Sequence, residues 1–246
     1  MTLNLHLPKT KGLFVAGTDT GVGKTLIAGG IAHLLTQEGL KVGVFKPVAS
    51  GCQSDRGQLV SQDAAFLAFC AETDYPLSVI NPISFRTPAA PITCVRLERR
   101  PLDYEAIATA YTWLCETCDA VIVEGIGGVL TPLTETETAL DLAVEFELPT
   151  LVAARATLGT INHSLLTIRA VRDAGLPLAG VIINGFKALD AEIAEETAPD
   201  VIAQIGQTTI LALVPYDPDA SVEQGRLTET ITETLDVCDW KSLIQS

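Results

Sequence analysis

Lys24 and Thr25 close the segment GTDTGVGKT at 17–25, and a second lysine, Lys46, opens KPVASG at 46–51. The first segment has the composition of a phosphate-binding loop. Gly21 and Gly23 let the backbone approach phosphate oxygens, and successive N–H groups at a helix N-terminus supply fixed positive potential. Lys24 would reach the terminal phosphates, and the Thr25 hydroxyl would ligate Mg²⁺. The strict pattern G-x-x-x-x-G-K-[ST] wants glycine at position 18, where this chain has Thr18 with Gly17 one place earlier. Lys46 adds a second cation for charge that develops during phosphoryl transfer; taken alone it also reads as a lysine snorkelling from a strand end. Ser50 and Gly51 add a hydroxyl and a backbone N–H.

Glu124 follows an apolar strand and precedes Gly125, Gly127 and Gly128. A carboxylate ending a buried strand is costly without a partner, so Glu124 is expected to hold Mg²⁺ beside Thr25. Asp63 starts a helix, where it either completes the metal shell or complements the helix dipole. Asn184 carries an amide suited to an adenine edge. The loop 157–162 opens a helix whose N-terminus favours an anion such as a carboxylate. His163 reads as a helix residue packed near that loop rather than a general base.

The elements that must position these residues follow from periodicity. Short apolar runs at 12–17, 41–46, 119–123, 149–154, 178–183 and 210–214 predict strands. Amphipathic spacing predicts helices near 24–38, 62–72, 103–117, 138–146, 160–174 and 190–205, with a last one near 226–236. Continuous apolar strands alternating with helices imply an α/β fold, a mostly parallel sheet covered on both faces, over residues 1–246 as one domain. Ligands bind at the carboxyl ends of such strands, where Lys46, Glu124, Asn184 and Pro215 fall. Five prolines between 75 and 101 predict an irregular excursion, with an edge strand near 92–97.

Composition narrows the class. With 246 residues, 48% hydrophobic and 19% charged, the chain can bury a substantial core. A net charge of −14 argues against nucleic-acid partners. No run approaches the roughly 18 apolar residues of a membrane span, and the start of the chain has no secretory pattern, which together predict a cytoplasmic protein. Cys115 and Cys118 form a CxxC without a second ligand pair; they fall on the apolar stripe of a helix and read as core cysteines.

The ordered set GTDTGVGKT, KPVASG, VEGIGG, LGTINH and IING resembles the dethiobiotin synthase family from about residue 12 to about 225. The resemblance implies a P-loop NTPase fold of the MinD and nitrogenase iron-protein type and a homodimer with substrate near the interface. It implies ATP and Mg²⁺, with 7,8-diaminononanoate and CO₂ as the other substrates and a cyclic urea as product. Carried over by position, Lys24 and Lys46 act on the phosphates and the reacting carbamate, and Thr25, Asp63 and Glu124 bind Mg²⁺. Thr20, Gly21, Val22, Gly23, Lys24, Thr25, Glu124, Gly127, Asn184, Gly185, Pro215 and Glu223 would surround the nucleotide. Ser50 would contact the diamine, and Gly159, Thr160 and Asn162 would hold the distal carboxylate from the neighbouring subunit. The chain departs from the family at Ile126, where VEGAGG has a smaller residue. An ATP-dependent amide ligase is the runner-up, disfavoured because the chain has no room for a glutaminase domain. A MinD- or ParA-like switch is the reading from another class. Such switches resemble one another at an early P-loop lysine, and 19–23 has none.

Overall fold

A computed structural model describes residues 3–55, 57–188 and 190–245. In chain order the elements begin with β1 (Gly12–Gly17), α1 (Lys24–Gln37), β2 (Val42–Phe45), β3 (Val48–Ala49), β4 (Gln53–Asp55), β5 (Gln58–Val60) and α2 (Gln62–Cys70). Next come α3 (Leu77–Ile80), β6 (Ile83–Ser84), α4 (Pro91–Glu98), α5 (Tyr104–Thr117), β7 (Ala120–Glu124), α6 (Ala139–Phe146) and β8 (Thr150–Arg155). The chain ends with α7 (Thr160–Asp173), β9 (Leu178–Phe186), α8 (Ile193–Gly206), β10 (Ile210–Pro215), α9 (Glu229–Leu235) and α10 (Trp240–Leu243).

Six strands form one sheet in the order β10-β9-β8-β1-β7-β2, and every pairing in it is parallel. The side-chain alternation of a strand explains how it is covered. Leu13 and Val15 of β1 enter a core with Ile27, Ile31 and Leu35 of α1. Phe14 and Ala16 point the other way, into a core with Phe45, Tyr111 and Phe146. On the β8–β9 side, Val152 and Val181 pack with Ile168 of α7 and Ile202 of α8. Helices therefore cover both faces, as continuous apolar strands require.

Two expectations are corrected. The segment expected as an edge strand near 92–97 is α4. Pro91 stands at its first turn, where a missing N–H costs nothing, and Cys94 is fully buried against the core. The expected last helix near 226–236 is shorter, and a second follows it. Asp239 starts α10 by accepting a hydrogen bond from the Ser242 N–H at 3.1 Å, and the Trp240 indole N–H donates back to the Leu235 carbonyl at 2.8 Å. Ile231, Leu235, Trp240 and Ile244 bury themselves in the α1-side core. The segment is thus amphipathic: its apolar residues cover the core while Glu229, Glu233, Asp236 and Asp239 stay exposed.

Cys115 and Cys118 are half-buried against the other core, with the Cys118 Sγ 3.4 Å from the Tyr75 hydroxyl. Cys118 lies one residue past the end of α5, not on its stripe. None of the helices among the described residues is long and apolar enough to cross a membrane.

Candidate active site at the carboxyl ends of the strands

The turn from β1 into α1 is shaped by glycine. Gly21 has φ +70° and Gly23, the residue capping α1, has φ +94°. Both lie in the left-handed region that glycine enters without penalty. The Lys24 ammonium donates to the Asp19 carbonyl at 3.0 Å, which curls the loop round its own lysine. Arg155, at the end of β8, donates to the Asp19 carboxylate at 3.1 Å and to the Thr20 carbonyl at 2.9 Å. Asn184 of β9 donates from Nδ2 to the Val22 carbonyl at 3.1 Å. Two neighbouring strands thereby hold the loop.

Lys46 follows β2 directly. Its N–H donates to the Ile80 carbonyl at 2.7 Å, and its carbonyl accepts from Asn81 Nδ2 at 2.6 Å. In the sequence the one signal at Asn81 is the Asn-Pro dipeptide at 81–82, which marks a turn and not a site residue. Glu124 ends β7. Parallel register pairs Phe45 with Val123, so Lys46 and Glu124 emerge side by side. The Lys46 ammonium lies 2.5 Å from Glu124 Oε1, 3.0 Å from Asp63 Oδ2 and 3.2 Å from the Gly125 carbonyl. Ser61 caps α2 by accepting from the Ala64 N–H at 3.2 Å, which sets Asp63 in the first turn facing Lys46. The Thr25 hydroxyl donates to Glu124 Oε1 at 2.9 Å.

Lys46 is 3% exposed and Glu124 1%, so charge here is poorly screened. Burial alone would depress the Lys46 pKa, but the Glu124 and Asp63 carboxylates outweigh it and raise the pKa above the ordinary lysine value. Burial pushes the Glu124 carboxyl up, against the pull of Lys46. Burial also works to raise Asp63, but Lys46 dominates and lowers it. Lys24 is brought down to about 8, first by burial and then by the like charge of Lys46.

The sign of the Lys24 shift gives a pH prediction. Above pH about 8 the folded protein sheds this proton, whereas the unfolded chain keeps it up to its ordinary 10.5. The burial penalty on Lys24 is therefore relieved as pH rises through that window, and its contribution to stability improves. Any pull it exerts on a bound anion is lost in the same window. ATP affinity of the free protein is expected to fall about tenfold from about pH 7 to about pH 9. Calorimetric titration with ATP at the two pH values measures this, and a Lys24→Gln variant should lose most of the dependence.

These groups line one cavity of about 390 Å³, together with Thr20, Gly21, Ser50, Gly127 and Glu223. Ile126 stands on its wall and packs against the α5-side core, so the larger residue fits without closing the space. Val22 is buried beneath the loop. Asn184, Gly185 and Pro215 sit together at the adjoining strand ends, Val214 pairing with Asn184 and Pro215 with Phe186. They lie outside the cavity wall. Gly159, Thr160 and Asn162 lie elsewhere, at the start of α7, with Thr160 buried and its hydroxyl without a partner. Near them is a second cavity of about 320 Å³ lined by Asp19, Leu130, Thr131, His163 and Leu166.

The donor set suits a hard cation. Thr25, Asp63 and Glu124 offer only oxygen, and Glu124 Oε2 is buried with no hydrogen-bond partner. An unpaired buried carboxylate oxygen beside a hydroxyl and a second carboxylate is what Mg²⁺ coordinates, the remaining positions going to water or phosphate. Among the described residues no group of three or more His, Cys, Asp or Glu gathers at one place, so a soft or all-protein cage is not formed there.

Comparison with known proteins places this geometry. A family model described as an AAA domain matches residues 11–224. The chain is similar to the ATP-dependent dethiobiotin synthetase BioD of Thermodesulfovibrio yellowstonii, 34% identical over 92% of this chain and 96% of that one. It is 38% identical to the enzyme of that name from Bacillus licheniformis, over 87% and 89%, and 40% identical to that of Anaeromyxobacter dehalogenans, over 85% and 92%. Among solved structures it resembles the cell-division ATPase MinD of Pyrococcus furiosus, with a TM-score of 0.58 and 14% identity over 95% of this chain and 99% of that chain. The MinC:MinD complex of Aquifex aeolicus gives 0.59 and 14%, over 96% and 97%. At such identity the likeness is one of fold.

Proposed function

Because the chain belongs to the ATP-dependent dethiobiotin synthetase family, we propose that it closes the ureido ring of dethiobiotin with Lys24, Lys46, Ser50 and the Thr25–Asp63–Glu124 oxygens as its working groups. ATP is a cosubstrate, and the activity belongs to biotin biosynthesis. The observation that carries the residue assignment is the convergence of both lysines and all three oxygen donors on one cavity.

The substrates are 7,8-diaminononanoate, CO₂ and ATP. One amine adds to CO₂ and loses a proton, giving a carbamate. A carbamate oxygen attacks the γ-phosphorus, ADP leaves, and a carbamic–phosphoric anhydride results. The second amine attacks the carbamoyl carbon; inorganic phosphate leaves with the C–O bonding pair, a proton is released, and the ring closes. An anionic nucleophile meeting a polyphosphate needs neutralisation more than covalent help. Lys24 holds the terminal phosphates, and Lys46 is the second cation for the transferring group and the carbamate. Ser50, on the same wall, orients the diamine. Mg²⁺, held by Thr25, Asp63 and Glu124, supplies charge neutralisation on the phosphates when bound. Asn184, Gly185 and Pro215 frame the adenine, with Glu223 toward the nucleoside.

The distal carboxylate is read as bound at Gly159, Thr160 and Asn162 of a second copy. Gly159, Thr160 and Asn162 do not line the ATP cavity of their own chain, which supports that placement, and so do the exposed Leu130, Leu158 and Leu166 nearby. On this reading the protein works as a homodimer, and the cytoplasm is where it is expected to act. The test is ADP release with Mg-ATP and bicarbonate, with and without 7,8-diaminononanoate, with mass spectrometry of the product. Diamine-dependent ADP and a dethiobiotin mass are expected. Hydrolysis indifferent to the diamine would sink the assignment.

A further inference from the structure

Lys46 cannot act on a substrate in the arrangement it adopts here. An ammonium has three donors, and those of Lys46 are engaged by Glu124 Oε1, Asp63 Oδ2 and the Gly125 carbonyl. It is also sealed from solvent. Two of its three partners belong to the carboxylates that, with Thr25, form the hard-oxygen set. Two neighbouring carboxylates, one of them buried, are stabilised by a cation between them, and Lys46 supplies it.

We propose that Lys46 is the resident counter-ion of the magnesium site and that it exchanges with the metal. Mg²⁺ demands oxygens at about 2.0–2.1 Å, and Nζ lies 2.5 Å from Glu124 Oε1 and 3.0 Å from Asp63 Oδ2, so a metal bridging the two carboxylates would compete with it for that space. Like charges with little solvent between them repel, so the metal's arrival drives Lys46 off the carboxylates. Its stem is anchored at the backbone by Ile80 and Asn81, so the ammonium swings toward the open cavity beside Ala49 and Ser50. The exchange makes the second lysine available only when metal, and hence metal-bound nucleotide, is in place. Until then, among the described residues that line the cavity, Lys24 is the cation not paired with a carboxylate. This inference rests on the reading of Thr25, Asp63 and Glu124 as magnesium donors.

The test is Mn²⁺ binding to the full chain without nucleotide, read by electron paramagnetic resonance of free Mn²⁺. Lys46→Met removes the competing cation and is expected to bind Mn²⁺ at least about tenfold more tightly than wild type; Lys46→Gln serves equally should the methionine variant fail to fold. Lys46→Arg keeps a cation whose planar fork matches carboxylates and is expected to bind no more tightly than wild type. Unchanged or weaker binding in Lys46→Met, or Lys46→Arg as tight as Lys46→Met, would overturn the exchange. Glu124→Gln separates the two ideas. If it binds Mn²⁺ as wild type does, the metal-site reading fails and the exchange with it. If it loses Mn²⁺ while Lys46→Met is unchanged, the site stands and only the exchange is wrong.

Discussion

Lys46→Met lowers diamine-dependent kcat by at least about 10³-fold, the scale expected when a preorganised charge is removed from a dry site of phosphoryl transfer. Binding of Mg-ATP survives, because Lys24, Thr25 and the glycine loop remain. The loss therefore falls on kcat rather than on the KM for ATP. Single-turnover ADP formation measures it, and turnover near the wild-type rate would remove Lys46 from the chemistry. A lysine at a strand end would by itself be replaceable without loss of the fold. The structure adds a cost, since Glu124 is buried to 1% exposure and loses the cation 2.5 Å from its Oε1. Breaking a buried pair from one side costs about 3–5 kcal/mol. Because burial already pushes Glu124 toward protonation, part of that cost is relieved by proton uptake, and more of it at lower pH. Urea unfolding at two pH values, beside the kinetics, separates lost chemistry from lost structure.

Gly23→Ala has the second large effect. Residue 23 holds φ +94° as the cap of α1, and a methyl group there would come within 2.0 Å of Asn184 Nδ2. Relief by rotating Asn184 breaks its bond to the Val22 carbonyl, so either the loop shifts or the strand-to-loop tie is lost. The loop N–H groups would then miss the phosphates. ATP affinity is expected to fall at least about 100-fold, with a loss of roughly 1–3 kcal/mol in stability. Gly21→Ala is the contrast. It too has a positive φ, +70°, but a methyl group at Gly21 meets open space, so only backbone strain of about 1–2 kcal/mol is expected. Equal ATP affinities in the two variants would show that the Asn184 contact does not shape the loop.

The chemistry-bearing residues were legible because each sits in a strong local pattern. Gly21, Gly23, Lys24 and Thr25 lie between an apolar run and an amphipathic one, and Glu124 ends a run of buried valine and isoleucine. The main-sheet strands fall within a few residues of their expected places for the same reason. The misses have physical causes. The segment 92–97 looked like a strand because prolines flank it, but Pro91 suits the first turn of a helix as well as it suits a sheet edge. The C-terminal acid obscured the apolar positions Ile231, Leu235 and Trp240, which pack inward. Asn81 and Arg155 went unassigned because their partners are backbone carbonyls and a loop carboxylate far off in the chain.

What the sequence alone determined was the inventory: a glycine loop with its lysine and threonine, a second lysine, two carboxylates, and a set of parallel strands to carry them. Those are local properties, written in residue type and in periods of two and 3.6. The strand order was decided only in three dimensions. By setting β7 between β1 and β2, it brings Glu124 opposite Val15 and beside Lys46, across 78 residues of chain. The burial that follows fixes the electrostatics. Lys46 and Glu124 are buried with Asp63 at their rim, so the state of each lysine depends on neighbours that no stretch of sequence places next to it.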